Sequence, residues 1–257
     1  MNGFKAAISA GGTTRIGLWS CLADPVVAEL LSTTGFDWML LDGEHAPNDL
    51  RTLMAQLQAT AAGPTQIVVR PPDGDPVRLK QFLDIGVQSL LIPMVDSPEQ
   101  ADAVARAVQF PPAGIRGVAS QTRGGRWGTV PDYFATARDD ICLVVQIESR
   151  TALGNVDAIV STEGIDAVFV GPMDLAASLG HIGRPGEPEV VAAVEHVAER
   201  AHAAGKPVGI LTVDEKQAAR YIERGFDFVA VGMDTMLLRG CASELRARFA
   251  LEKGRDR

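Results

Sequence analysis

Apolar residues along the chain gather in clusters of two lengths, and the two lengths alternate. Short clusters run over 16–20, 38–42, 66–70, 89–93, 141–148, 167–171, 207–212 and 228–232. Several are apolar at consecutive positions, as in Leu143-Val144-Val145 and Val229-Ala230-Val231. Strands of a parallel sheet, covered on both faces, read this way. Longer amphipathic segments lie between them, over 24–34, 48–61, 75–85, 97–109, 188–204, 214–224 and 235–251. Three open on a capping residue followed by proline: Asp24-Pro25, Asp75-Pro76 and Ser97-Pro98. Such a pair satisfies free helix N–H groups and presets the first helical φ.

Eight strands alternating with helices predict an α/β fold of the (β/α)8 type, a TIM barrel, as a single domain over 1–257. An internal echo agrees. Gly35-Phe36-Asp37, Gly164-Ile165-Asp166 and Gly225-Phe226-Asp227 each stand before a strand, as does Gly86-Val87. The glycine ends a helix and the chain then enters the barrel from below. An open doubly wound sheet has the same alternation; the strand count favours the barrel. One connection, 111–140, is unusually long and holds Arg116, Arg123, Arg126 and Trp127.

Composition narrows the class. The formal charge is −8, which argues against a nucleic-acid partner. Hydrophobic residues make up 46% and charged residues 22%, the balance of a globular chain. The three cysteines, Cys21, Cys142 and Cys241, stand far apart, which fits a reduced cytoplasmic setting. Residues 1–10 do not read as a secretory signal, and no apolar run is long enough for a membrane span.

In a barrel, chemistry belongs where strands end. Polar residues follow these strands: Trp19-Ser20, Asp42-Gly43-Glu44-His45, Arg70, Gln146 with Glu148, Gly171-Pro172-Met173-Asp174, Leu211-Thr212 and Met233-Asp234. Glu148 and Asp174, two carboxylates on neighbouring strand ends, suit a hard divalent cation. An ordinary salt bridge from Glu148 to Arg150 or Arg70, and a capping role for Asp174, fit their positions too. His45 is the candidate acid/base, with Asp42 placed to orient its ring; a lone histidine is also often structural. Arg70 can hold a carboxylate or an enolate oxygen. The turn at Gly171-Pro172 opens a helix whose amides can receive an anion. No phosphate loop, nucleophile elbow or dinucleotide fingerprint is present, and no lysine falls at a strand's C-terminal end for a Schiff base.

These segments together resemble the metal-dependent (class II) pyruvate aldolases, the 4-hydroxy-2-oxoheptanedioate and 2-keto-3-deoxyglucarate aldolases. The likeness rests on Leu41-Asp42-Gly43-Glu44-His45-Ala46-Pro47-Asn48, Val69-Arg70-Pro71, Gly114-Ile115-Arg116-Gly117, Val145-Gln146-Ile147-Glu148 and Gly171-Pro172-Met173-Asp174-Leu175. It covers roughly residues 15 to 250. The resemblance implies Mg²⁺, Mn²⁺ or Co²⁺ on Glu148 and Asp174, with pyruvate and an aldehyde as reactants. It implies Arg70 on the keto oxygen and His45 as base, supported by Asp42 and Asp84. Trp19, Gln146, Gly171, Pro172, Met173, Leu211 and Arg123 are expected around the substrate. It further implies a homo-oligomer, a hexamer with an exchanged C-terminal helix at 235–251. Asp84 ends a helix at the barrel's bottom, so it is expected to reach a site only across a subunit contact. A related lyase acting on acyl-CoA thioesters is the alternative, with Arg123 and Arg126 as its added charge.

Overall fold

In the computed structural model, which describes residues 2–252, all eight short apolar runs are strands. They are β1 (Arg15–Ser20), β2 (Trp38–Asp42), β3 (Gln66–Arg70), β4 (Ser89–Ile92), β5 (Cys142–Ile147), β6 (Ala167–Val170), β7 (Val208–Leu211) and β8 (Phe228–Met233). They pair in parallel in sequence order, and β8 closes on β1. The barrel is therefore closed, as the strand count predicts, and the open sheet is set aside. Met1 and residues 253–257, included in the expected span 1–257, lie outside the described residues.

The helices are α1 (Gly3–Ser9), α2 (Pro25–Ser32), α3 (Leu50–Ala59), α4 (Pro76–Asp84), α5 (Pro98–Ala107), α6 (Tyr133–Thr136), α7 (Arg150–Gly154), α8 (Val156–Val160), α9 (Pro172–Ser178), α10 (Pro188–Ala203), α11 (Glu215–Glu223) and α12 (Asp234–Glu252). Asp24, Asp75 and Ser97 cap their helices as read: each side chain accepts a backbone N–H from the first turn. Among the described residues no helix is long and apolar enough to cross a membrane.

Two apolar layers hold the fold. The outer one lies between strands and helices, with Leu41, Val69, Leu90, Val145 and Val170 facing Leu53, Leu79, Val104 and Val194. The inner one fills the barrel with Trp19, Trp38, Leu40, Phe169 and Phe228. Helix α1 seals its lower end. Phe4 lies 5.6 Å from the Trp38 ring and 5.4 Å from that of Phe228. The Asn2 amide donates to Gln88 O and Ser89 Oγ, which fixes the plug to the start of β4. The sequence pattern gives no sign of α1, because seven residues hold less than two turns of apolar period.

The long segment 111–140 joins α5 to β5, so it runs beneath the barrel, at the strands' N-terminal ends. Gly124 N donates to Asp84 O at 3.0 Å, and Arg123 Nη1 to Ile85 O at 2.8 Å, both at the foot of α4.

Candidate active site

At the other end of the barrel, Asp42 and Arg70 are Cα neighbours in the β2–β3 register. Side chains at matched positions of adjacent strands point the same way, so the pair meets by construction. Arg70 Nε donates to Asp42 Oδ1 at 3.0 Å and Nη2 to Oδ2 at 2.6 Å. Trp19 Nε1 donates to Asp42 Oδ2 at 3.0 Å, and the guanidinium lies 4.9 Å from the centre of the Trp19 ring. Both members of the ion pair are buried. Burial works against the charge on Asp42, but the Arg70 hydrogen bonds and charge, with the Trp19 bond, hold its carboxyl below the usual range.

This corrects one expectation. Asp42 does not orient the His45 ring. Its oxygens are taken by Arg70, Trp19 and the amides of Glu44 and His45. Trp19 is likewise buried beneath the guanidinium and supports Arg70 from below instead of lining an open pocket. The His45 imidazole is exposed, with Nε2 3.8 Å from Glu44 Oε2.

Glu44 is the residue that sequence reasoning quoted but gave no role. Its Oε2 accepts from Arg70 Nη1 at 2.9 Å, so the guanidinium sits between two carboxylates. Burial raises the Glu44 carboxyl, opposed by the charges of Arg70 and His45. The signal was present in the Asp-Gly-Glu-His run. Gly43 makes that turn possible, since a Cβ there would lie 2.7 Å from Arg70 O.

Across the mouth, β5 delivers Glu148, only 3% exposed. Its Oε1 accepts from Met94 N at 2.7 Å, and its Oε2 from Gln146 Nε2. Gly171 is required at the end of β6: a Cβ there would stand 2.3 Å from Glu148 Oε2. Desolvation pushes the Glu148 carboxyl up to about 7; the charges of Asp174 and Glu44 push the same way, while the Met94 amide and Arg70 oppose them. Asp174 lies in the first turn of α9 and is exposed. Gln146 Oε1 is buried without a hydrogen-bond partner. Among the described residues this desolvated carboxylate is in no ion pair, and the donors around it are hard oxygens, which fits a divalent cation. Among the described residues no cluster of three or more His, Cys, Asp or Glu is set to hold a metal. Two carboxylates, with water and substrate oxygens beside them, are the usual share of protein ligands for Mg²⁺.

Pro172 and the exposed Met173 stand at the same mouth, and the half-buried Leu211 packs on the inner layer just below it. Asp234, buried at the end of β8, accepts from Ser20 Oγ and from the amides of Cys21 and Leu22, and so ties β8 to the turn after β1. Burial pushes the thiol of Cys21 up to about 12, with the Asp42 charge second.

Two expected site residues are not at this end. Arg123 lines a cleft of about 1090 Å³ under the barrel, together with Arg116 and Trp127. Its chain segment runs from a helix to a strand, and such connections lie at the bottom. Within one chain Arg123 therefore does not border the substrate site. Asp84 is also at the bottom, as its place at the end of α4 predicts; it pairs with Arg116 at 3.1 Å.

The model of the HpcH/HpaI aldolase/citrate lyase family matches residues 15–240. The chain belongs to this family. HpcH/HpaI relatives include the hydroxypyruvate/pyruvate aldolase of Pseudomonas aeruginosa, 54% identical over 250 residues, 97% of this chain and 93% of the relative. The 4-hydroxy-2-oxo-heptane-1,7-dioate aldolase of Salmonella newport is 52% identical over 98% of this chain and 96% of its own. The crystal structure of a family protein from Burkholderia cenocepacia J2315 superposes with a TM-score of 0.93 at 38% identity, covering 96% of this chain and 99% of the other. As an aldolase of the HpcH/HpaI family, the chain is a carbon–carbon lyase.

Proposed function

We propose that the chain cleaves 4-hydroxy-2-oxo acids reversibly to pyruvate and an aldehyde, with a divalent cation (Mg²⁺, Mn²⁺ or Co²⁺) held by Glu148 and Asp174. One observation carries this reading: a buried Glu148 carboxylate, shaped by Gly171 and Gln146, faces the same mouth as Arg70. When bound, the cation supplies Lewis-acid charge at the carboxylate and keto oxygens of the oxo acid.

The protein's own groups do the rest. A guanidinium has five N–H donors, and the three bonds to Asp42 and Glu44 leave two for substrate. Arg70 offers these to the keto oxygen, where negative charge grows as the C3–C4 bond breaks. Asp42, Glu44 and the Trp19 ring fix its direction in advance. In cleavage His45 takes the proton from the C4 hydroxyl, and C3 of the enolate left by C3–C4 breakage gains a proton to give pyruvate; synthesis runs both transfers in reverse, with the exposed ring exchanging protons with solvent. The name of the Pseudomonas aeruginosa relative supports hydroxypyruvate as a second oxo-acid reactant beside pyruvate.

The chain is further proposed to work in the cytoplasm as a homo-oligomer, hexameric, with Asp84 and Arg123 reaching a neighbouring subunit's site. The exposed apolar residues of α12, among them Met236, Leu237, Leu238, Leu245 and Phe249, support assembly. The acyl-CoA alternative has less support, since relatives 52–54% identical to this chain are named aldolases of oxo acids.

The test is pyruvate release from a 4-hydroxy-2-oxo acid. Chelation is expected to abolish it and Mg²⁺ or Mn²⁺ to restore it. Full activity after exhaustive chelation would overturn the proposal.

A further inference from the structure

The backbone at the end of β4 is held in an unfavourable shape. Met94 has φ +55, the left-handed region, which costs any residue with a Cβ. The residue is 53% exposed, so core packing does not impose that conformation. What the conformation does produce is a single directed contact, the Met94 N–H on Glu148 Oε1 at 2.7 Å. Strained backbone persists only where its surroundings over-determine it, and the surroundings are identifiable. Two residues on, the Asp96 carboxylate accepts from Ser149 Oγ, and Ser149 directly follows Glu148. The Asp96 carbonyl accepts from Asn155 Nδ2 at 2.8 Å, and the Asp96 amide donates to Gln100 Oε1 at 2.6 Å.

We infer that Met94 is a positioning residue for Glu148, and that Asp96, clamped by Ser149 and Asn155, keeps the strained Met94 amide aimed at the carboxylate. The clamp spans β4 and the turn after β5, so it locks the two strand ends whose relative position sets the carboxylate's direction. Oε2 is fixed separately by Gln146 and by the close approach of Gly171. Both oxygens thus meet an incoming cation already oriented, and ordering on binding costs less. The inference rests on the reading of Glu148 as a cation ligand. Removing partners that orient a metal ligand typically lowers affinity 10–100-fold.

The test is a Mn²⁺ titration by calorimetry on the full chain after chelator treatment, joined to hydrogen–deuterium exchange of the peptide that contains Met94. Asp96→Ala is expected to weaken Mn²⁺ binding about tenfold, and Asn155→Ala to weaken it in the same direction. Asp96→Asn keeps an oxygen for Ser149 and is expected to restore the parent affinity. In Glu148→Ala the Met94 amide loses its acceptor, so its exchange speeds up. Met94→Gly keeps the amide and removes the strain, so its unfolding midpoint rises. Parent-like Mn²⁺ affinity in both Asp96→Ala and Asn155→Ala, with Glu148→Ala weakened, would overturn the clamp and leave the ligand assignment standing. Unweakened binding in Glu148→Ala would overturn the ligand assignment itself.

Discussion

Arg70 meets two carboxylates and an indole face at once, and each contact uses a property that lysine lacks: a planar fork of donors. Arg70→Lys is therefore expected to lower kcat/KM for aldol cleavage by about two to three orders of magnitude. Arg70→Ala should also destabilise the fold by about 3–5 kcal/mol, since Asp42 is left charged and unpaired in a buried place; denaturant unfolding reads this. Gly171 gives a different kind of test. Its φ is −91, which any residue adopts, so space alone forbids a side chain. Gly171→Ala is expected to weaken Mn²⁺ binding at least about tenfold, because the new methyl would clash with Glu148 Oε2 and push the carboxylate aside.

Glu148 makes stability depend on pH with a definite sign. Burial pushes its carboxyl up to about 7 in the fold, against an ordinary glutamate value of 4.5. Between those values the folded state binds more protons than the unfolded one, so stability of the metal-free chain falls as pH rises. The fall is complete above about pH 7 and amounts to as much as about 3 kcal/mol. Thermal melts of chelated protein at pH 5 and pH 8 should show it. In Glu148→Gln that part of the loss should vanish, leaving the variant more stable than its parent at pH 8.

At the scale of elements, the plug helix α1 and the rim turns divide the work. Phe4→Ala is expected to cost about 3–5 kcal/mol by opening a void between the rings of Trp38 and Phe228. It lies far below the rim, so turnover per folded molecule should hold while the unfolding midpoint drops. The eight strands were legible because buried parallel strands spell themselves as unbroken apolar runs. Helix α1 was not, being too short for a period to show. The rim was legible residue by residue, since polar side chains after apolar runs mark strand ends. Pairings across it were not. Asp42 looked like a partner for His45, three residues away, but the β2–β3 register joins it to Arg70, twenty-eight residues on. The placement of Arg123 could have been read from connectivity, because a segment between a helix and the next strand lies at the bottom; its arginines suggested an anion site and hid that.

At the scale of the whole molecule, the acidity of the chain is not evenly meaningful. The surface excess of acid speaks to solubility. The mouth of the barrel is a separate matter, with the Asp42 and Glu44 carboxylates on the Arg70 guanidinium and those of Glu148 and Asp174 close by. Asp42, Glu44 and Asp174 outnumber Arg70 even while Glu148 keeps its proton, so the mouth repels a free oxo-acid anion in spite of the arginine that awaits it. Sequence of arrival follows from this. An anionic reactant meets net repulsion until a cation has offset the carboxylates, so initial-rate patterns should be ordered, cation before oxo acid. An oxo-acid analogue such as oxalate is expected to bind the chelated chain weakly and the Mn²⁺-loaded chain strongly, which places admission to the site under the control of cation supply.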